Sequence, residues 1–145
     1  MIDVKKFKVE HLLNFMPDRF IDGLNWQMAE NSVNPTMDIV TLFDKKGEPI
    51  CFAGINHKRY GVGELWVIRG KLIQENKFNF YKSIRNLIEF TFQHMEIHRL
   101  EIAVDVNYPE YFKWAESLGF ELEGVQKRYD HLGNDHAIYV RFNNG

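Results

Sequence analysis

Few residues in this chain have types and spacings that could do chemistry, and each has an ordinary reading beside it. His57 closes an apolar stretch, and an imidazole with an unperturbed pKa near 6.5 suits a general base or proton relay. A histidine at a hairpin end is also commonly just solvated. His131, Asp135 and His136 gather metal-ligand types in one short turn, but their spacing fits no zinc pattern and no cysteine accompanies them. A polar hairpin turn, with no metal, is the expectation there. His94 and His98 would share a helix face only if a helix ran through both, and a strand starting near His98 argues against that. Arg69, Lys71 and Lys77 put three cations ahead of a long amphipathic segment that Asn76 could cap. That arrangement can hold an anion at a helix start, or it can be a set of solvated loop charges. The single cysteine, Cys51, lies among Ile50, Phe52 and Ala53, which predicts a small buried side chain rather than a nucleophile. No Ser-His-Asp, Cys-His, phosphate-loop or dinucleotide-binding pattern is present.

The elements that must position these residues follow from hydrophobic period. Met1 to Phe7 reads as a short strand, Val9 to Met16 falls at helical spacing until Pro17 interrupts, and Phe20, Ile21, Leu24 and Met28 suggest a second helix. From Asp38 the pattern becomes β-branched: Asp38–Phe43 and Pro49–Ile55 flank a glycine turn, and Glu64–Ile68 follows Gly61 and Gly63 as the next strand. Phe80, Ile84, Leu87, Ile88, Thr91 and Met95 mark one face of a long helix over Asn76 to Met95. His98–Val106 alternates as a half-buried strand, Pro109 opens a short helix that Gly119 stops, and Phe120–Tyr129 and His136–Phe142 are final strands. The order β-α-α-β-β-β-α-β-α-β-β implies an α/β fold with a mixed, mostly antiparallel sheet and helices on both faces. Trp66, Ile84, Leu87, Leu100, Ile102 and Leu118 are expected in its core.

At 145 residues and 45% apolar composition, one domain spanning 1–145 is expected. A net charge of -2 provides no field that would draw nucleic acid or an anionic membrane. No stretch approaches the roughly 20 apolar residues a membrane helix needs, and with one cysteine a reducing, cytoplasmic setting is expected.

The C-terminal half carries a resemblance. His98–Asn107, then Trp114–Gly124 with its Leu118-Gly119-Phe120 core, then Arg128-Tyr129, Gly133, Asp135 and Tyr139-Val140-Arg141 resemble the second half of the GNAT N-acetyltransferases. More narrowly, the set resembles GNAT-like proteins of tailed bacteriophages, which would put the chain in a host cytoplasm. The resemblance implies an N-acyltransferase that uses acetyl-CoA or another acyl-CoA, no metal, and an amine acceptor of unspecified identity. Homodimers are common in such folds. The cofactor would lie where the Glu64–Ile68 strand splays from the His98–Val106 strand, its pantetheine arm on the backbone of Val67 and Ile68 and on Asn107. Asn107 could instead cap the short helix. The family's glycine loop corresponds here to Arg69, Gly70 and Lys71 followed by Leu72 and Ile73, so Arg69, Lys71 and Lys77 would have to supply the cations for its diphosphate.

The resemblance makes Glu64 the general base, with His57 as the other base candidate. The family's thiolate-protonating tyrosine falls on Ala115, leaving Tyr111, or Tyr108, as its substitute. The altered loop and the missing tyrosine also imply an alternative, a GNAT-like binding or assembly protein without catalysis.

Overall fold

The computed structural model describes residues 3–13, 15–17 and 37–144. Strand β1 (Asp3–Lys6) and a 3-10 helix (Val9–Leu12) precede β2 (Met37–Phe43), β3 (Pro49–Arg59) and β4 (Val62–Arg69). A second 3-10 helix (Lys71–Asn76) runs directly into α1 (Lys77–His94), followed by β5 (Arg99–Asp105), α2 (Glu110–Ser117), β6 (Glu121–Gln126) and β7 (His136–Phe142). The strands form one seven-stranded mixed sheet in the order β1-β2-β3-β4-β5-β7-β6. β4 and β5 are parallel neighbours, whereas β1–β2, β2–β3, β5–β7 and β6–β7 pair antiparallel. The mixed, mostly antiparallel sheet expected from the sequence is therefore present, with the Glu64 and His98 strands adjacent.

The helix expected over Phe20 to Met28 lies outside the described residues. The one expected from Val9 is a single 3-10 turn in its described part, because Leu13 turns to extended geometry and Pro17 then bridges Gly70. Proline offers no amide to continue a helix.

The chain packs as two compact units, Met1–Asn56 with Trp66–Glu89 and His57–Leu65 with Phe90–Gly145. In the first, Phe7, Phe15, Ile39 and Phe52 form an aromatic core against which Leu12, Trp66 and Ile68 pack. Phe52 meets the Phe7 ring edge-on at 5.3 Å and Phe15 at 4.4 Å, and burying each such ring contributes about 1.5–3 kcal/mol. Cys51 is fully buried opposite Leu42 in the β2–β3 ladder, its thiol directed at the Phe52 carbonyl. On α1, Phe80, Ile84 and Ile88 are buried. Leu87 sits at the edge of that stripe and Trp66 at the rim of the aromatic core, so both are half-buried rather than enclosed.

In the second unit Leu100, Ile102 and Val104 alternate along one face of β5 and are buried with Ala115, Leu118, Phe120 and Tyr139. The Phe112 ring of α2 meets Tyr139 at 5.9 Å. Gly119 ends α2 at φ +91, the left-handed conformation that glycine adopts without strain.

Candidate functional site

Glu64 and Glu101 are placed by the start of the parallel ladder. The Gly61 carbonyl, in a turn whose φ of +81 suits glycine, accepts the amides of His98 and Arg99 at 2.9 and 3.2 Å. A Cβ on Gly61 would lie 2.5 Å from His98 Nδ1. From that anchor Val62, Gly63 and Glu64 pair with Arg99, Leu100 and Glu101.

Side chains alternate along a strand, so register partners share a face. Glu64 and Glu101 therefore stand side by side. Asp105 lies farther along the same face of β5, opposite His136 of β7. Glu101 is 7% exposed. Burial pushes its carboxyl up, but Arg99 Nε at 2.7 Å and Lys58 Nζ at 2.9 Å outweigh burial and hold it below the ordinary range. Arg99 also forks onto the Glu123 carboxylate, and these bonds raise its own pKa further. Glu64 is half-buried, and its partner among the described residues is the Tyr129 hydroxyl, which donates to Oε2 at 2.9 Å.

Tyr129 is presented by the turn between β6 and β7. The Asp130 carboxylate accepts the amides of Leu132 and Asn134 at 3.0 and 2.9 Å and bonds His136 Nε2 at 3.0 Å. The Asn134 amide bond, then His136, hold Asp130 well below the usual carboxylate range. Asp135 accepts the amide of Arg128 at 2.9 Å, fixing a non-glycine residue at φ 51. Burial first, then the charge of and bond to Glu64, push the Tyr129 phenol up to about 12.

Asp105, Asp130 and His136 each offer a ligand atom, all within 4.8 Å of one another, and this is the set among the described residues with metal-site spacing. Asp130 already spends both oxygens on the turn and on His136. The turn thus accounts for the positions of Asp130 and His136, while the Asp105 carboxylate accepts the Asn107 amide at 2.9 Å.

The other candidates fall in separate places. His57 is exposed near the end of β3. Tyr108 and Tyr111 stack at 5.9 Å beside the start of α2, while Ala115, at the family's tyrosine position, is fully buried. Asn107 does not cap α2, whose cap position is Pro109; its amide group donates to Asn134 Oδ1 at 3.1 Å, tying the end of β5 to the turn that carries Tyr129.

In the first unit Val67, Ile68 and Arg69 are half-buried on β4, with the Arg69 guanidinium 5.7 Å from the Phe80 ring centre, and Lys71 and Lys77 are exposed. A diphosphate loop works through convergent free amides. Here the amide of Gly70 donates to the Ile50 carbonyl, that of Lys71 to Met16 and that of Ile73 to Gly70, at 2.9, 2.9 and 3.2 Å. Those three donors are therefore committed within the chain and do not fit a backbone cradle.

Sequence reading missed Tyr129, Glu101 and Asp130 as site residues. Asp130 had a legible signal, since an aspartate before Gly133-Asn134 is typical of a side-chain-closed turn. The Glu64–Glu101 pairing depends on strand register, which no local pattern reveals.

No protein-family model matches the chain, and no curated protein does so by sequence. Solved structures do. A chimera of the spermidine N-acetyltransferase SpeG from Vibrio cholerae and hSSAT superposes with a TM-score of 0.76 at 13% identity, covering 98% of this chain and 96% of that one. Mutant forms of the Vibrio cholerae spermidine/spermine N-acetyltransferase SpeG give 0.74 at 14% identity over 99% and 95%. The same organism's SpeG in complex with manganese ions gives 0.76 at 14% over 98% and 92%. At such low identity the likeness speaks for architecture, and the chain has the GNAT fold that these N-acetyltransferases share.

Proposed function

We propose that the chain, acting as one domain over 1–145, is an acyl-CoA-dependent N-acyltransferase, acetyl-CoA being the donor and a cationic amine of the polyamine class the acceptor. The observation that carries this reading is the half-buried Glu64 carboxylate, set beside the salt-bridged Glu101 on one sheet face of the second unit. The Glu64 carboxylate, bonded by a neutral phenol rather than a cation, can pair with a protonated amine, and the fold's solved neighbours are named for acetylating spermidine.

The donor thioester supplies an activated acyl carbon and a thiolate leaving group. An ammonium cannot attack until it loses a proton, and a positioned carboxylate is a competent acceptor of one. Glu64 takes that proton, directly or through water. Glu101 remains charged, with its two oxygens taken by Lys58 and Arg99. Tyr111 or Tyr108 returns a proton to the departing thiolate in place of the absent tyrosine at Ala115. Asn107 faces the pantetheine arm, and Arg69, Lys71 and Lys77 meet the diphosphate through side-chain charge.

A second reading, a binding protein that keeps the fold without catalysis, draws support from the occupied amides of Gly70, Lys71 and Ile73. Incubation with acetyl-CoA and a panel of spermidine, spermine, a lysine peptide and an aminosugar, read by mass spectrometry, separates the two. Acetylated polyamine is the expected product; an unmodified panel favours the binding protein.

A further inference from the structure

We infer that Tyr129 is a positioning residue: its hydroxyl, aimed by the turn between β6 and β7, holds the Glu64 carboxylate in the orientation from which it meets the acceptor amine. The inference rests on the acyltransfer reading above.

The hydroxyl donates to Glu64 Oε2 at 2.9 Å across 65 residues of sequence, and the segment around it is built to aim it. Arg128, immediately before it, occupies the left-handed region at φ 51. Non-glycine residues stay there only where surrounding structure compels them, and here the Asp135 carboxylate holds the Arg128 amide. The Tyr129 amide donates to the Asn134 carbonyl at 2.8 Å. Its ring lies 4.7 Å from that of His136, which Asp130 fixes through Nε2. Two aspartates are thus committed to the backbone before Tyr129 and to the ring it rests on.

The phenol, raised to about 12, remains protonated at neutral pH and so remains a donor. The charged and titratable groups facing the pair are Glu101 of β5 with its partners Lys58 and Arg99, His136 of β7, and Asp130 of the turn. The bond leaves Glu64 Oε1 as the oxygen free of Tyr129. Small misplacement of a reacting group costs up to about a hundredfold in rate.

The test combines a rate and a direct reading of the pair. Tyr129→Phe keeps the ring on His136 and removes only the donor. It should lower kcat for polyamine acetylation by about ten- to a hundredfold with KM for acetyl-CoA near wild type. Independently, NMR titration of 13Cζ-labelled tyrosine, with Tyr129 assigned from the Phe variant, should show its midpoint falling toward the ordinary 10.0 in Glu64→Gln. A Tyr129→Phe enzyme with wild-type kcat, or a Tyr129 midpoint unmoved in Glu64→Gln, overturns the inference. Wild-type protein that acetylates no amine, while the titration still shows coupling, locates the failure in the acyltransfer reading and removes the positioning role assigned to Tyr129 with it.

Discussion

The Lys71 amide donates to the Met16 carbonyl at 2.9 Å, so a backbone donor at the start of the loop before α1 is already engaged within the chain. Acetyl-CoA binding should then depend on side-chain cations and weaken as salt rises, because exposed charges are screened within about 10 Å at 0.1 M salt. For a dissociation constant on the order of 10 μM, millimolar ligand stabilises the native state by roughly 2.7 kcal/mol. That is a rise of several degrees in Tm for a chain of this size. A Lys71→Gln, Lys77→Gln variant should lose most of the shift with its unliganded Tm nearly unchanged, since both side chains are exposed. A shift that survives both the substitutions and high salt would show that the donor is held elsewhere.

Gly70 takes ordinary extended geometry, with φ -97, so what it requires is space. A Cβ there would lie 2.7 Å from Phe15 Cε1 and 2.8 Å from the Ile50 carbonyl oxygen. Gly70→Ala should destabilise by about 1–3 kcal/mol, the usual cost of overpacking, read as a lower midpoint in urea. An unchanged midpoint would mean that the Phe15 segment does not pack on the loop.

Glu64→Gln should cut acetylation by about a hundred- to ten-thousandfold if the carboxylate is the base, with folding stability little changed. Retained turnover would remove Glu64 from the chemistry and turn attention to His57.

His11 makes stability depend on pH. Burial, the largest cause, lowers its pKa below 6.5, and its Nδ1 receives the Lys8 amide and meets Thr41 Oγ1 at 2.8 Å. Below 6.5 the unfolded chain binds a proton that the folded chain resists, so this contribution is present above 6.5 and is lost as the pH falls through the folded value. The fall in Tm between about pH 7.5 and 5.5 should be shallower in His11→Asn than in wild type. Equal slopes would exclude His11 as a source.

The sequence made the strands legible wherever period and turn residues agreed: His136–Phe142 has the bounds expected, and the long helix, Lys77–His94, differs by one residue at each end. The first turn of that region was not legible. Leu72 and Ile73 stand where small residues were expected, and they form a 3-10 helix with Ile73 buried, a tertiary preference that local spacing does not encode. Glu64 was legible as a candidate through the family resemblance of the strand that carries it, which starts two residues earlier, at Val62. Its two companions were not, since Glu101 reaches it through parallel register and Tyr129 through a turn 65 residues away.

Cys51 is the chain's one cysteine, and it has no exposed surface. A thiol reagent can reach it only when the β2–β3 ladder around it opens, so the rate of labelling serves as a clock for local opening of the first unit under native conditions. The molecule needs no engineered probe for this. Slow labelling that accelerates in Gly70→Ala would show that the packing of Gly70 against Phe15 and Ile50 helps keep that ladder closed.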